Sequence, residues 1–449
     1  MISSLVWADL LIADEPICHY DLEITRDQGI QLQVDIECPG LTEPRFGFLY
    51  RDSASFVADQ RKTESGIAYR LNLTHLAARV NNYRYAQNVG GVTFATMASW
   101  LMVPRQTAEI RLRQNTPAAV PMTMALPRRH DYWVMSSTDM ARSGYAVFGD
   151  FSSHMIAIDS EWQAPSRSRV EVIDLRRRQS DQDLLLDWIS DTANQVARYW
   201  HGFPTDHFLL VIVDQPGTGI EYGRVMGGGG AVMLLVLGDN ARVEELYSEW
   251  VLIHELLHLG TPFMANGFWF MEGMATYSEP IIRARAGWRS ERSVWNEFRR
   301  DMPRGSFALS EEGLANTRRG LYWGGALFML LADRELRAES DGEIGIEHCL
   351  REIHREFGDI THNSTAEIVM AHCDNAFNTR FFQRLAECYV HDHSPLNLAE
   401  LWEALGIVVE NGQVNLNDNA AQVDIRQWIV RGTGLDAAIM NDKAPDTFR

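Results

Sequence analysis

His254-Glu255-Leu256-Leu257-His258 constrains this chain more than any other run, because the chemistry it suggests works only on a helix. Residues four apart share a helix face, so both imidazoles can meet one ion while Glu255, one position on from His254, leans over the same side. The neighbouring Val251, Leu252, Ile253, Leu256, Leu257 and Leu259 are apolar, as a helix buried beneath a cleft requires, and the spacing predicts a helical stretch from Val243 to Leu259. With 14 His in 449 residues, three fixed letters at this spacing arise by chance roughly 0.03 times in such a chain, so the match is informative. The bland alternative is a pair of core histidines satisfied by hydrogen bonds, but two imidazoles have little reason to sit unpaired among leucines. Two histidines and a carboxylate suit zinc and leave a position open for water, with Glu255 as the base for that water.

A helix offers only one face to an ion, so the third ligand must come from a second element. Glu272 is the best candidate, opening a helical segment from Glu272 to Tyr277 just after a strand-like aromatic run, Phe268-Trp269-Phe270. Glu279 lies seven residues further, on the same helical face. It stands as an alternative ligand, or as a carboxylate that accepts the far N–H of a liganding histidine.

These residues resemble a known family. His254-Glu255-x-x-His258 followed by Trp269-x-x-Glu272-Gly273-x-Ala275-x-Tyr277-x-Glu279 looks like the gluzincin pattern of the membrane-alanyl-type aminopeptidases and of the glycyl aminopeptidases, which often carry a PDZ domain. Tyr322-Trp323-Gly324-Gly325-Ala326-Leu327, leading into Leu331-Ala332-Asp333, is similar to the Tyr-x-x-Gly-Ala-Leu helix of the glycyl aminopeptidases. Gly227 to Gly230 resembles their glycine-rich segment upstream of the zinc helix. The likeness covers about 165 to 410. It implies one zinc per chain on His254, His258 and Glu272, Glu255 as general base, Tyr322 as a donor to the oxyanion, and a peptide or protein substrate.

Two departures stand out. The spacer between His258 and Glu272 is thirteen residues, shorter than these aminopeptidases usually have. They also place a glutamate just after the glycine segment to hold the substrate's α-amino group, whereas here Ala231-Val232-Met233-Leu234 follows, and Glu221, Asp239 or another acid would have to replace it. The glycines Gly228, Gly229 and Gly230, with Ala231, are read as a substrate-binding segment, where an extended peptide pairs along Ala231 to Leu234 as an exposed strand edge. A tight turn with no substrate role is the alternative.

The rest of the chain fits a multidomain α+β protein. From Ile17 to about Trp162 apolar and polar residues alternate, as in Ile30-Gln-Leu-Gln-Val-Asp-Ile36, which predicts an N-terminal β-sandwich-like domain over 1–165. A polar stretch with a proline, Gln163 to Arg169, marks the boundary. A thermolysin-like α/β catalytic domain is expected over 166–310, with a helix from about Asp181 to Trp200 and a buried strand at Phe208 to Val213, and a C-terminal α-helical domain over 311–449.

The formal net charge of -19 argues against nucleic acid or an anionic membrane as partner, and no apolar run is long enough for a membrane span. Met1 to Asp14 lacks a basic start and carries aspartates within its apolar run, so it reads as a poor signal peptide. The expectation is a cytoplasmic protein, or a periplasmic or secreted one if a leader is missing. Five cysteines, Cys18, Cys38, Cys349, Cys373 and Cys388, with no C-x-x-C spacing, speak against a disulfide framework and point to free thiols. Cys18 and Cys38 could pair in an oxidising compartment, which spacing alone does not establish. His391-Asp392-His393 and Arg176-Arg177-Arg178 read as solvated segments. The expected activity is zinc-dependent hydrolysis of peptide bonds, with aminopeptidase action as one form of it. The rivals are a catalytically silent protein that keeps the scaffold for binding, and a zinc hydrolase of a non-peptide substrate.

Overall fold

The computed structural model describes residues 15–115, 120–158, 168–307 and 317–432. Contacts divide the chain into two compact units. One runs to Phe151 and takes in Gly228–Gly230, and the other holds Ser152–Gly227 and the chain from Ala231. The boundaries expected at 165 and 310 both fall outside the described residues.

In the first unit, alternation does what period-2 patterning requires. Cys18, Tyr20, Leu22 and Ile24 of strand Ile17–Arg26 point inward while their neighbours face out. This strand lies within a seven-stranded sheet, paired antiparallel to Ile30–Glu37 and parallel to Glu109–Gln114. A four-stranded sheet built on Val92–Thr96 and Tyr145–Phe148 contributes Ala95, Ala146 and Phe148 to the same apolar core as Tyr20, Leu32 and Tyr69.

Two disulfides, Cys18–Cys38 in this unit and Cys349–Cys373 in the other, correct the expectation of free thiols. Among the described residues Cys388 is the free cysteine. The bridging pairs lie 20 and 24 residues apart, a separation that carries no local signature.

The second unit is built on a five-stranded sheet in the order His154–Ile156, Arg169–Asp174, His207–Gln215, Ala231–Gly238, Ile220–Met226. Its middle three strands are parallel and both outer strands antiparallel. Helix Gln182–Trp200 makes the crossover between the first two parallel strands. Ala231–Gly238 is buried at every position, the pattern of a strand covered on both faces. It pairs with His207–Gln215 on one side and Ile220–Met226 on the other, so Ala231 to Leu234 is not an exposed edge. The edge belongs to Ile220–Met226, a strand with little apolar signal of its own.

Two helical expectations also change. The stretch read from Val243 to Leu259 is two helices, Val243–Leu246 and Val251–Leu257, with a 3-10 turn at His258–Gly260. Ser248 explains the break: its hydroxyl donates to the Glu245 carbonyl at 2.6 Å, and its own carbonyl accepts from Arg283 Nη2 at 2.5 Å, diverting groups a continuous helix would use. The strand-like Phe268-Trp269-Phe270 is the first turn of helix Phe268–Arg285, begun just after Gly267.

The C-terminal part holds helices Gly325–Glu339, Ile346–Phe357, Ala366–Ala376 and Leu398–Leu405, then a hairpin, Ile407–Glu410 with Gln413–Leu416, and helix Val423–Arg431, in the same compact unit as the five-stranded sheet. One apolar core runs through this unit from Ile156 to Val430. Buried Arg337, held by Asp333 at 2.9 Å and Glu347 at 2.8 Å, ties two of these helices together. Among the described residues no helix is long and apolar enough to cross a membrane.

Candidate metal centre

Helical spacing brings the two imidazoles together as the sequence requires. The rings of His254 and His258 lie edge to face with centroids 5.0 Å apart, and both residues are buried. Helix Phe268–Arg285 delivers Glu272 to them, with Oε2 at 3.1 Å from His254 Nε2 and 3.6 Å from His258 Nε2. One donor atom from each of the three lies within 4.8 Å of the others, and this is the one such group among the described residues. His391, Asp392 and His393 form none.

The electrostatics match the geometry. Burial pushes the Glu272 carboxyl up, but the His258 charge and hydrogen bonds from both imidazoles outweigh it and hold the group far below the usual carboxylate range. Burial opposes the charge on His258, yet Glu272 beside it raises that imidazole above its ordinary value.

Glu255, next to His254, reaches outward to the sheet edge, where its Oε2 accepts from Val225 N at 2.8 Å. The approach depends on Gly223, in the same edge strand. A Cβ there would stand 2.5 Å from Val251 Cγ1 and 3.3 Å from Glu255 Cγ. Gly223 and the Val225 N–H, which meet Glu255 here, were not among the residues expected at the site. The available signal was a glycine between Tyr222 and Arg224, since glycine inside a strand often marks close approach of another element.

Tyr322 sits in a π-helical turn, Gly320–Gly324, with its ring stacked on His254 at 5.8 Å and 14°. Burial, then the charges of Glu272 and Glu255, push its phenol up, so it stays protonated and able to donate. Its placement follows from a close helix contact. A Cβ on Gly273 would lie 2.3 Å from the Gly325 carbonyl carbon, and one on Gly325 2.0 Å from the Trp269 carbonyl oxygen. Only glycine at both positions lets the helix after Tyr322 lie this near the helix bearing Glu272.

Glu279 does not join the three. It is buried in an ion pair with Arg283 at 2.7 Å, and burial pushes its carboxyl up to about 7. The glycines Gly228, Gly229 and Gly230, read as a substrate-binding segment, belong to the first unit. Gly228 donates its N–H to the Arg142 carbonyl at 2.9 Å. Added Cβ atoms on Gly228 and Gly230 would meet the backbone at Asp139 and Ala125, 2.3 and 2.4 Å away, and Gly229 has φ +78°. Tight packing within the first unit accounts for these glycines. Ala231 is buried and pairs with Phe208 at the start of its strand. The two acids considered as substitutes for the amino-group anchor are engaged elsewhere: Glu221 accepts from Thr218 N at 3.3 Å, and Asp239 from Gly217 N at 3.3 Å. Of Arg176-Arg177-Arg178, read as a solvated run, Arg177 and Arg178 are exposed, Arg177 pairing with Asp214, whereas the Arg176 side chain is largely buried against Asp174.

No protein-family profile matches the sequence, and no curated protein matches it. Solved structures do. An aminopeptidase N family protein from Idiomarina loihiensis aligns over 88% of this chain and 79% of its own at 14% identity, with a TM-score of 0.60. An M1 zinc metallopeptidase from Deinococcus radiodurans aligns over 86% of this chain and 95% of its own at 12% identity, with a TM-score of 0.48. At such identities the first likeness establishes a shared fold, and the second is too weak to add to it.

Proposed function

We propose that this chain is a zinc-dependent metallopeptidase of gluzincin type, with His254, His258 and Glu272 as the metal ligands, one ion per chain. The observation that carries the reading is the convergence on one point of donor atoms from two buried histidines and half-buried Glu272. Ligand atoms around a four-coordinate ion with bonds of about 2 Å lie about 3.3 Å apart, close to the 3.1 and 3.6 Å from Glu272 Oε2 to the two Nε2 atoms.

The chemistry zinc supplies when bound is Lewis acidity toward a carbonyl and a lowered pKa for water, towards about 7. Glu255 takes the proton of the attacking water and passes it to the amine as the C–N bond breaks. Val225 N–H orients that carboxylate. Tyr322 O–H donates to the oxygen that gains negative charge as the water adds, an interaction worth a few kcal/mol where geometry is good. An extended peptide suits the free edge of Ile220–Met226, taking the place first assigned to Gly228, Gly229, Gly230 and Ala231. Glu221 and Asp239 accept from Thr218 N and Gly217 N, and strict aminopeptidase action is not part of the proposal. Two disulfides suit an oxidising compartment better than the cytoplasm.

The test is Glu255→Gln. The amide cannot accept the water's proton, so peptide hydrolysis should fall by several orders of magnitude while zinc stays bound. Undiminished turnover would show that Glu255 is structural.

A further inference from the structure

The two histidines are not held alike. His254 lies inside helix Val251–Leu257, whereas His258 opens the 3-10 turn that ends it, where the helix's own hydrogen bonds run out. A strap from about a hundred residues further along the chain meets this turn. Residues 358–364 run beside the start of the spacer that leads to Glu272. Ile360 N donates to the Leu259 carbonyl at 3.2 Å, Phe263 N to the His362 carbonyl at 2.9 Å, and Ser364 N to the Phe263 carbonyl at 3.0 Å. Ile360 is buried, and its carbonyl oxygen packs on the end of the edge strand, where a Cβ on Gly227 would stand 2.4 Å from it. The strap thus touches both the turn that begins at His258 and the strand whose Val225 N–H holds Glu255.

The second disulfide closes the strap. Cys349 lies on helix Ile346–Phe357 and Cys373 on helix Ala366–Ala376, and their bridge keeps the two Cα atoms 5.3 Å apart with the strap as the middle of the loop between them. Both cysteines are fully buried, so the bridge is a fixed tie and not one open to exchange. A closed loop has fewer open conformations than a free segment, so the bridge disfavours lifting of the strap as well as global unfolding. The other disulfide, Cys18–Cys38, belongs to the first unit.

We propose that the Cys349–Cys373 bridge and the strap it closes are a positioning element for the metal centre, setting His258 against Glu272 across the thirteen-residue spacer. The inference rests on the reading of His258 as a metal ligand. Cys349, Cys373 and Ile360 are positioning residues, acting on the centre through Leu259 and Phe263.

Zinc affinity, measured by competition with a chelator, tests this without turnover. Cys349→Ala/Cys373→Ala should raise the zinc dissociation constant at least about tenfold, the size of effect that follows when the partners supporting a metal ligand are lost. Hydrogen exchange at the Phe263 and Ser364 amides should quicken in the same protein. Cys18→Ala/Cys38→Ala removes a bridge of similar span, 20 residues against 24, and should bind zinc as the wild type does, which separates positioning from a general loss of stability. Gly227→Ala keeps both bridges while its Cβ presses on the Ile360 carbonyl, so it too should weaken zinc binding, and it decides the matter where Cys349→Ala/Cys373→Ala does not fold. Wild-type zinc affinity in these strap variants would overturn the proposal, as would an equal loss in Cys18→Ala/Cys38→Ala. A wild-type chain that takes up no zinc would count against the metal reading instead, while exchange at Phe263 and Ser364 would still report whether the bridge holds the strap.

Discussion

Gly223→Ala isolates the link between the sheet edge and the catalytic carboxylate, because it adds one methyl group at a residue that touches no metal ligand directly. The added Cβ would stand 2.5 Å from Val251 Cγ1, 3.2 Å from Met233 Cε and 3.3 Å from Glu255 Cγ. Carbon atoms settle at about 3.5–4.0 Å, so the Val251 contact alone demands a retreat of about 1 Å. Met233 presents a flexible end that can move aside, whereas Val251 is β-branched, stiff at χ1, and opens the helix that carries His254 and runs into His258. Overpacking of this kind costs about 1–3 kcal/mol of stability. A parting of about 1 Å would also stretch the Val225 N to Glu255 Oε2 bond from 2.8 Å beyond hydrogen-bonding range. Misplacing a catalytic group by that much costs about a hundredfold in rate. Melting temperature, zinc content and kcat/KM on one peptide substrate should therefore read, in order, lower, unchanged, and down about a hundredfold with the loss mainly in kcat. Wild-type turnover in a destabilised Gly223→Ala protein would refute the claim that the edge strand holds Glu255.

Two further predictions follow from buried acids and missing ones. The Glu279 carboxyl titrates near 7 in the fold against about 4.5 when exposed, so the folded protein keeps a proton over that window that the unfolded chain gives up. Stability should thus fall as pH rises from about 4.5 to 7 and then level, by on the order of 1–3 kcal/mol from this group. The neutral Glu279→Gln protein should lack that fall, and melting curves of equal pH slope would contradict the reasoning. Because Glu221 and Asp239 accept from Thr218 N and Gly217 N, acetylating a substrate's N-terminus should change kcat/KM by less than about tenfold. A loss of a hundredfold or more in paired assays would mean that an acid holds the α-amino group.

The clustering of His254, His258 and Glu272 was legible because its information is local: His254, Glu255 and His258 at helical spacing, and Glu272 in a short motif whose glycine is explained by the contact with Gly325. The long alternation from Ile17 and the continuous apolar run at Phe208 to Val213 were legible for the same reason, since periodicity reports burial directly. What stayed hidden depends on partners distant in sequence. Ile220–Met226 carries Glu221, Gly223 and Arg224 and looks like a loop until its pairing with Ala231–Gly238 is known. The aromatic Phe268-Trp269-Phe270 has strand propensity, but tertiary packing of a long helix overrides it. The helix break near Ser248 follows from Arg283, thirty-five residues on. Disulfide pairing depends on where strands and helices meet, and cysteine spacing does not encode that.

Metal content is the most direct test of the account. Purified without chelator, the wild-type chain should carry about one zinc per molecule, and His258→Ala should lose it while keeping a cooperative fold, since the apolar core of the second unit runs from Ile156 to Val430 without the ion. Full zinc in His258→Ala, or a wild-type protein that binds none when zinc is supplied, would contradict the assignment of His254, His258 and Glu272 as a metal centre.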